Sequence, residues 1–306
     1  MSDDWGSYPW DSSTEQNSEA AVTPEKKRRT GLIVAISMVG IFALAAGLSI
    51  FVGLSSLGAK EAPPTNKTEK ENVSSSFAGN DLYSAPKDME TFLDAVDNAT
   101  VRVECVTTSG EVGWGTGWGI DLADNEETTT DNAEPYEIVT NWHVIEGCLD
   151  GGQVSIFLVS SPKVAHPATI FSFDNSFSTD SGWGDLAILT TATAVPSLET
   201  AKVAPKKLQW ALAIGNPADY ADEALTNHMT LGVVSDYLVD RKWVVSSAEV
   251  NPGNSGGPLL NSQGQVMAVN TWTDVRDGIQ GMFYSVAASQ LCIKVLSCTP
   301  DDNLNW

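Results

Sequence analysis

The chain has 306 residues, 42% of them hydrophobic, with 39 acidic against 17 basic side chains and a formal net charge of −22 at pH 7. That charge argues against nucleic acid and against adhesion to an anionic membrane surface, because neither gains counterion release from an acidic protein. The length holds one large or two modest globular units, at roughly 100–200 residues per domain.

Residues 1–30 are acidic and polar, with an aromatic cluster at Trp5, Tyr8 and Trp10, and read as a disordered tail. The tail ends in the basic run Lys26-Lys27-Arg28-Arg29, and Leu32 to Leu54 then carries neither charge nor proline. About 20 apolar residues at 1.5 Å each cross a bilayer core, so residues 31–58 are expected to form a transmembrane helix. A helix buried in a soluble core is the alternative. The positive cluster precedes the apolar run, which puts the N-terminus in the cytoplasm and everything beyond Gly58 outside. The expected location is therefore the cytoplasmic membrane, in a single pass, with residues 32–54 in contact with lipid.

Residues 59–85 are rich in Lys, Glu, Ser, Thr, Asn and Pro and read as a flexible linker. Pro86 opens a short helical pattern, with Met89, Phe92, Leu93 and Val96 forming one stripe. From Val101 the pattern changes to short β-rich runs. These are Val101–Val106, Trp118–Leu122, Glu137–Thr140, Val154–Val159, Leu186–Leu189, Leu208–Ile214, Met229–Ser235, Trp243–Ser246, Val266–Thr271 and Met282–Val286. Strands at this spacing without intervening helices predict an all-β sandwich or pair of barrels over 86–300, closed by a short helix near Ser289–Leu296.

The four cysteines, Cys105, Cys148, Cys292 and Cys298, all lie on the expected outer side. An even number there points to disulfides. Of the three pairings, Cys105–Cys148 with Cys292–Cys298 keeps each partner within its own half. No Cys-x-x-Cys occurs and the chain has three histidines, so no metal site is expected.

The chemistry concentrates in Asn251-Pro-Gly-Asn-Ser-Gly-Gly-Pro258. Ser255 needs a base to take its proton and backbone N–H donors for the oxyanion that forms on the attacked carbonyl. Glycines on both sides permit the tight turn that aims such donors. A plain surface turn containing serine is the rival reading of the octapeptide. Among the histidines, His143 ends a β-branched run, while His166 and His228 read as surface or turn residues. Asp185 heads an apolar strand, where a carboxylate needs a partner. Asp174 and Asp180 read as members of a polar loop without that need. The order His143, Asp185, Ser255 is that of the double β-barrel proteases and not of subtilisins or α/β-hydrolases.

Seven blocks together resemble the high-temperature-requirement (HtrA/Deg) trypsin-like serine proteases. They are Gly115-Thr-Gly-Trp-Gly-Ile, Val139-Thr-Asn-Trp-His-Val-Ile, Asp185-Leu-Ala-Ile-Leu, Ala213-Ile-Gly-Asn-Pro217, Leu231-Gly-Val-Val-Ser235, Asn251 to Leu259 and Ala268-Val-Asn-Thr271. The resemblance implies a chymotrypsin-like double antiparallel β-barrel, with His143 as base, Asp185 as its orienting acid and Ser255 as nucleophile. It implies an oxyanion hole from the N–H groups of Gly253 and Ser255, with Asn254 between them. Val269-Asn270-Thr271 would pair with substrate backbone, and Tyr284, within Gly281–Val286, would line the far wall of the S1 pocket. Glu249 falls at the base of that pocket. A buried carboxylate there would favour Lys or Arg, while a Glu249 turned to solvent or held by a neighbouring donor would not.

Protein or peptide substrates follow from the resemblance, without a cofactor, and trimers occur in the family. Departures from its pattern are the missing PDZ domain, Trp142 in place of a small residue, and Asn254 where digestive enzymes carry an aspartate. Activation by N-terminal trimming is therefore not expected. The reading is a membrane-anchored extracytoplasmic serine endopeptidase. Its rival is a latent or inactive domain of the same fold that binds peptides or partner proteins, with the Gly253 peptide flipped.

Overall fold

A computed structural model describes residues 72–120, 135–176, 184–218, 224–273, 281–296, 298 and 306. The expected tail and the apolar run Leu32–Leu54 lie outside the described residues. Among the described residues no helix is long and apolar enough to cross a membrane.

The first six strands are β1 (Thr100–Val106), β2 (Val112–Ile120), β3 (Tyr136–Thr140), β4 (Gln153–Leu158), β5 (His166–Asp174) and β6 (Leu186–Thr191). They pair antiparallel in the order β1-β4-β5-β6-β3-β2, and the β1–β2 ladder from Thr100↔Trp118 to Val106↔Val112 closes the ring. A two-residue strand, β7 (Ser197–Leu198), runs parallel to the end of β2. The second half supplies β8 (Trp210–Gly215), β9 (His228–Leu238), β10 (Trp243–Ser246), β11 (Pro258–Leu260), β12 (Val266–Thr273) and β13 (Phe283–Ala287). These form a closed barrel in the order β10-β13-β12-β11-β8-β9. The expected all-β double barrel is what the chain builds.

The period-2 alternation of side chains explains how the barrels join. In β6, Ala187 and Leu189 face the interior of the first barrel, while Leu186 and Ile188 join a core shared with the second. In β8, Ala211 and Ala213 face the second interior, and Leu212 and Ile214 join the same shared core. Strands buried on both faces read as unbroken apolar runs, as Leu186–Leu189 and Trp210–Ile214 do.

Helix α1 (Met89–Asn98) covers that shared core with the stripe expected of it. Phe92 and Val96 are fully buried, and Met89 and Leu93 pack beside them. Asp88 caps the helix by accepting from the Thr91 N–H at 3.1 Å. Phe92 meets Trp210 edge to face at 5.8 Å between ring centroids.

The linker expected over 59–85 is part of the folded domain from Asn72 onward. Val73 is 5% exposed, and its N–H donates to Ser197 O at 3.0 Å. Ser74 is buried; its hydroxyl donates to Gly264 O and accepts from the Glu199 N–H. Asn80 and Gln263 exchange further bonds between this strap and the β11–β12 hairpin, through Ser262 O, Ala78 O and Asn80 O. The composition is that of a solvated linker, but the Ser74 hydroxyl and the Asn80 amide are spent on backbone partners in the folded domain.

Other local differences have equally local causes. His166 and His228, read from sequence as surface or turn residues, open β5 and β9, and His228 is exposed. Asp174 ends β5 and accepts from the Ser176 N–H at 2.8 Å, so it is not a free loop carboxylate. Asp180 lies outside the described residues. The disulfides join Cys105 to Cys148 and Cys292 to Cys298.

Candidate active site

His143 lies in α2 (Trp142–Ile145), a single turn entered from the extended residue Asn141. Asp185 stands at the mouth of β6 with φ +55°, a left-handed conformation that aspartate tolerates better than most residues. That backbone turns the carboxylate onto His143 twice. Oδ1 accepts from the His143 backbone N–H at 2.9 Å, and Oδ2 lies 2.8 Å from Nδ1. Asp185 is buried, while the His143 side chain keeps 36% of its surface exposed. Desolvation alone would lower the His143 pKa. The hydrogen bond and charge of Asp185, with a smaller contribution from Glu146, outweigh it and raise the pKa above the usual imidazole value.

The carbonyl of Asp185 accepts from Asn141 Nδ2 at 2.6 Å, and the same amide reaches Thr271 Oγ1 at 3.4 Å. Thr271 also meets Ser255, whose Oγ donates to Thr271 O at 3.4 Å. One residue of β12 thus touches both the support of the His143–Asp185 pair and Ser255.

The turn before Ser255 has a definite form. The Asn254 N–H donates to Asn251 O at 2.9 Å, and Gly253 has φ +97°. A type II turn requires positive φ at its third residue and favours proline at its second, the place of Pro252. A type I turn over the same residues would need negative φ at Gly253 and would turn the Pro252–Gly253 peptide over. Thr116 pins the next carbonyl, donating its hydroxyl to Gly253 O at 2.8 Å. The Thr116 N–H donates to Ser255 O at 2.7 Å. Gly256, at φ +85°, faces Thr116 O and Thr140 Oγ1 so closely that a Cβ would overlap both. Asn254 is fully buried, and among the described residues neither polar atom of its side chain has a hydrogen-bond partner.

The residues assigned to substrate contact are placed unevenly. Val269 and Asn270 are fully buried, and Asn270 Nδ2 donates to Ile214 O and Pro258 O. They support the site from inside. The β12–β13 register shifts between Asn270 and Trp272, which brings Thr271 to Ser255 and leaves Trp272 and Thr273 partly exposed beyond it. Tyr284 stacks on Trp272 with centroids 4.5 Å apart, and Trp243 packs edge-on against both rings. Glu249 is exposed, and its carboxylate accepts from Asn251 Nδ2 at 3.2 Å. It is not a buried countercharge. Trp142 is half-buried and packs on the core of the first barrel.

Sequence reasoning did not reach Thr116, Thr140, Asn141 and Asn216. Asn216 donates its N–H to Thr116 Oγ1 at 2.9 Å and its amide to the same atom at 3.1 Å. Each falls inside or beside a block of the resemblance, but the hydroxyl and amide contacts cross between strands far apart in the chain. Among the described residues no cluster of His, Cys, Asp and Glu could hold a metal ion.

A probable periplasmic serine endoprotease, DegP-like, of Chlamydia pneumoniae is 36% identical over 143 residues, covering 44% of this chain and 26% of that protein. The serine protease Do-like HtrA of Bacillus subtilis is 28% identical over 181 residues, covering 53% of this chain and 35% of its own length. This chain therefore spans about a quarter to a third of those relatives. The crystal structure of the serine endoprotease from Yersinia pestis has the same fold, with a TM-score of 0.51 at 24% identity over 66% of this chain and 62% of that one. The trypsin-like peptidase domain matches residues 115–269, half of the chain and a range that contains His143, Asp185 and Ser255, so the chain belongs to the trypsin-like peptidase family.

Proposed function

We propose that this chain is a serine endopeptidase acting on protein or peptide substrates through an acyl-enzyme. Ser255 Oγ attacks the scissile carbonyl as His143 takes its proton, and Asp185 holds the imidazole and stabilises the imidazolium that results. The N–H groups of Gly253 and Ser255 receive the oxyanion. His143 then passes the proton to the departing amine, and water, deprotonated by His143, releases the acyl group. The substrate backbone extends along the open end of β12 at Trp272 and Thr273.

One observation carries the reading. Thr271 contacts Ser255 Oγ on one side and Asn141, the support of Asp185, on the other. The positive φ of Gly253 favours a formed hole over the flipped, latent one. Treating the full chain with a fluorophosphonate tests it by mapping the adduct beside a Ser255→Ala control. A single adduct on Ser255, absent from the control, is the expected result; folded, oxidised protein that takes no label refutes the reading.

We further infer that selection of the substrate residue before the cut does not rest on a buried charge, because Glu249 is exposed and held by Asn251. An exposed pair contributes at most about 1 kcal/mol, so Glu249→Gln should change the preference for Lys or Arg by less than about fivefold. Peptide-library profiling of both forms measures it.

We also propose that residues 32–54 anchor the chain in the cytoplasmic membrane with the peptidase outside. The uncharged run after Lys26–Arg29 and the paired cysteines support this. Release of the protein by alkaline carbonate without detergent would refute it.

A further inference from the structure

Lys294 lies in α3 (Leu291–Lys294), inside the turn closed by Cys292–Cys298, and its side chain is only 9% exposed. A buried ammonium needs partners. Its Nζ donates to Ser176 Oγ at 3.0 Å and lies 3.9 Å from Asp174 Oδ2. Ser176 donates both its hydroxyl and its N–H to Asp174 Oδ1. The C-terminal turn is thereby fastened to the end of β5. A second tie joins the same elements, with Ser172 Oγ donating to Val295 O at 2.7 Å.

The other side of this cluster faces the triad. Ser176 O accepts from the Gly184 N–H at 2.7 Å. Gly184 is buried, and a Cβ there would overlap the Asp174 carboxylate. The next residue is Asp185, held at φ +55°. A non-glycine residue stays in that region only where its surroundings determine it from both sides. On the C-terminal side β6 does so, through Asp174↔Leu186 and Phe173↔Ala187. On the N-terminal side, among the described residues, Gly184 is held on Ser176, and the Lys294 ammonium donates to Ser176 beside the Asp174 carboxylate.

We propose that Lys294 is a positioning residue for Asp185, acting through Ser176, Asp174 and Gly184, which makes the disulfide-closed C-terminal turn part of the catalytic apparatus. The proposal rests on the peptidase reading for its effect on turnover, but not for its effect on His143. The charged groups acting on His143 are Asp185 and Glu146, and loss of Lys294 should reach His143 through the first of them.

The test is a histidine NMR titration of the full-length protein, whose three histidines, His143, His166 and His228, are assigned by substituting the last two. It is run on wild type, Lys294→Met, Lys294→Arg and Ser172→Ala, with kcat and KM measured on a peptide substrate. Lys294→Met should move the His143 pKa down from its raised position and lower kcat on the order of 10- to 100-fold with KM unchanged, as a misplaced catalytic group does. Lys294→Arg should restore most of both. Ser172→Ala removes the other tie and should leave the His143 titration where it was. If Lys294→Met does not fold, Ser176→Ala carries the same expectation.

A Lys294→Met protein that melts earlier but titrates His143 like wild type overturns the proposal and leaves a structural ion pair. A Ser172→Ala protein that shifts His143 as far as Lys294→Met also overturns it. Dependence of the His143 titration on Lys294 in a wild-type protein that neither cleaves nor takes a fluorophosphonate would uphold the positioning role and refute the peptidase.

Discussion

Thr116→Val exchanges a hydroxyl for a methyl of the same shape at a fully buried position of β2. The hydroxyl donates to Gly253 O and accepts both N–H groups of Asn216. Without it the Gly253 carbonyl and the Asn216 backbone N–H retain only each other, at 3.4 Å, while the Asn216 amide still has Asn227 Oδ1 at 3.2 Å. Stranding a buried polar group costs about 1–3 kcal/mol, so these two together should cost about 2–4 kcal/mol. For a domain of this size that lowers Tm by roughly 5–15 °C. The Gly253–Asn254 peptide, which lies between the two donor N–H groups of Gly253 and Ser255, also loses its anchor. One loosened oxyanion donor should lower kcat by roughly 10- to 100-fold, less than the ~10²–10³ of a donor removed outright. Thr116→Ser keeps the hydroxyl and should keep most of both. Thermal melting gives the first quantity, and turnover per molecule labelled by a fluorophosphonate gives the second. A Thr116→Val protein that melts like wild type refutes the network, and one that melts early yet turns over normally refutes the link to the hole.

Three other outcomes follow from the same geometry. Asp185→Asn should cost about 10⁴ in kcat. Because the raised His143 pKa depends on Asp185, the acid limb of kcat/KM should move to lower pH. The imidazolium stabilised in the folded state adds stability below the ordinary histidine pKa and loses it as pH rises through the raised value, so the variant's stability gap should be widest in acid. Gly256→Ala should fold poorly and lack activity, since positive φ and overlap with Thr116 O and Thr140 Oγ1 coincide; a soluble variant with a wild-type melt would refute this. Replacing Cys105 and Cys148 by serine, which opens a loop with sequence separation 43, should cost about 4 kcal/mol. Replacing Cys292 and Cys298, at separation 6, should cost about 2 kcal/mol by chain entropy, and denaturant melts would rank the two.

The double barrel was legible because its double-faced strands, Leu186–Leu189 and Trp210–Ile214, are unbroken apolar runs between polar turns. β5 was not, because its exposed face carries Pro167, Thr169, Phe171 and Phe173 and its start reads as His-Pro punctuation. β11 was hidden behind the glycines of the Ser255 turn. The order of His143, Asp185 and Ser255 could be read from residue type and local company. Thr116, Asn141 and Asn216 could not. Their side chains meet partners up to 137 residues away, and a threonine or asparagine in a strand or turn carries no sign of that. Val269 and Asn270 were misplaced for a similar reason, because the register shift after Asn270 decides which residues of β12 emerge.

The strap before α1 sets how the domain yields to an attacking protease. A cut between Asn72 and Pro86 would leave Gly264 O and the Glu199 N–H without the Ser74 hydroxyl, and Ser262 O without Asn80. It would also uncover the ring of Phe92, against which Phe77 packs at 5.1 Å. Those partners are Glu199, between the barrels, and the β11–β12 hairpin, so loss of the whole strap would expose the core shared by the two barrels while removing no strand from either ladder.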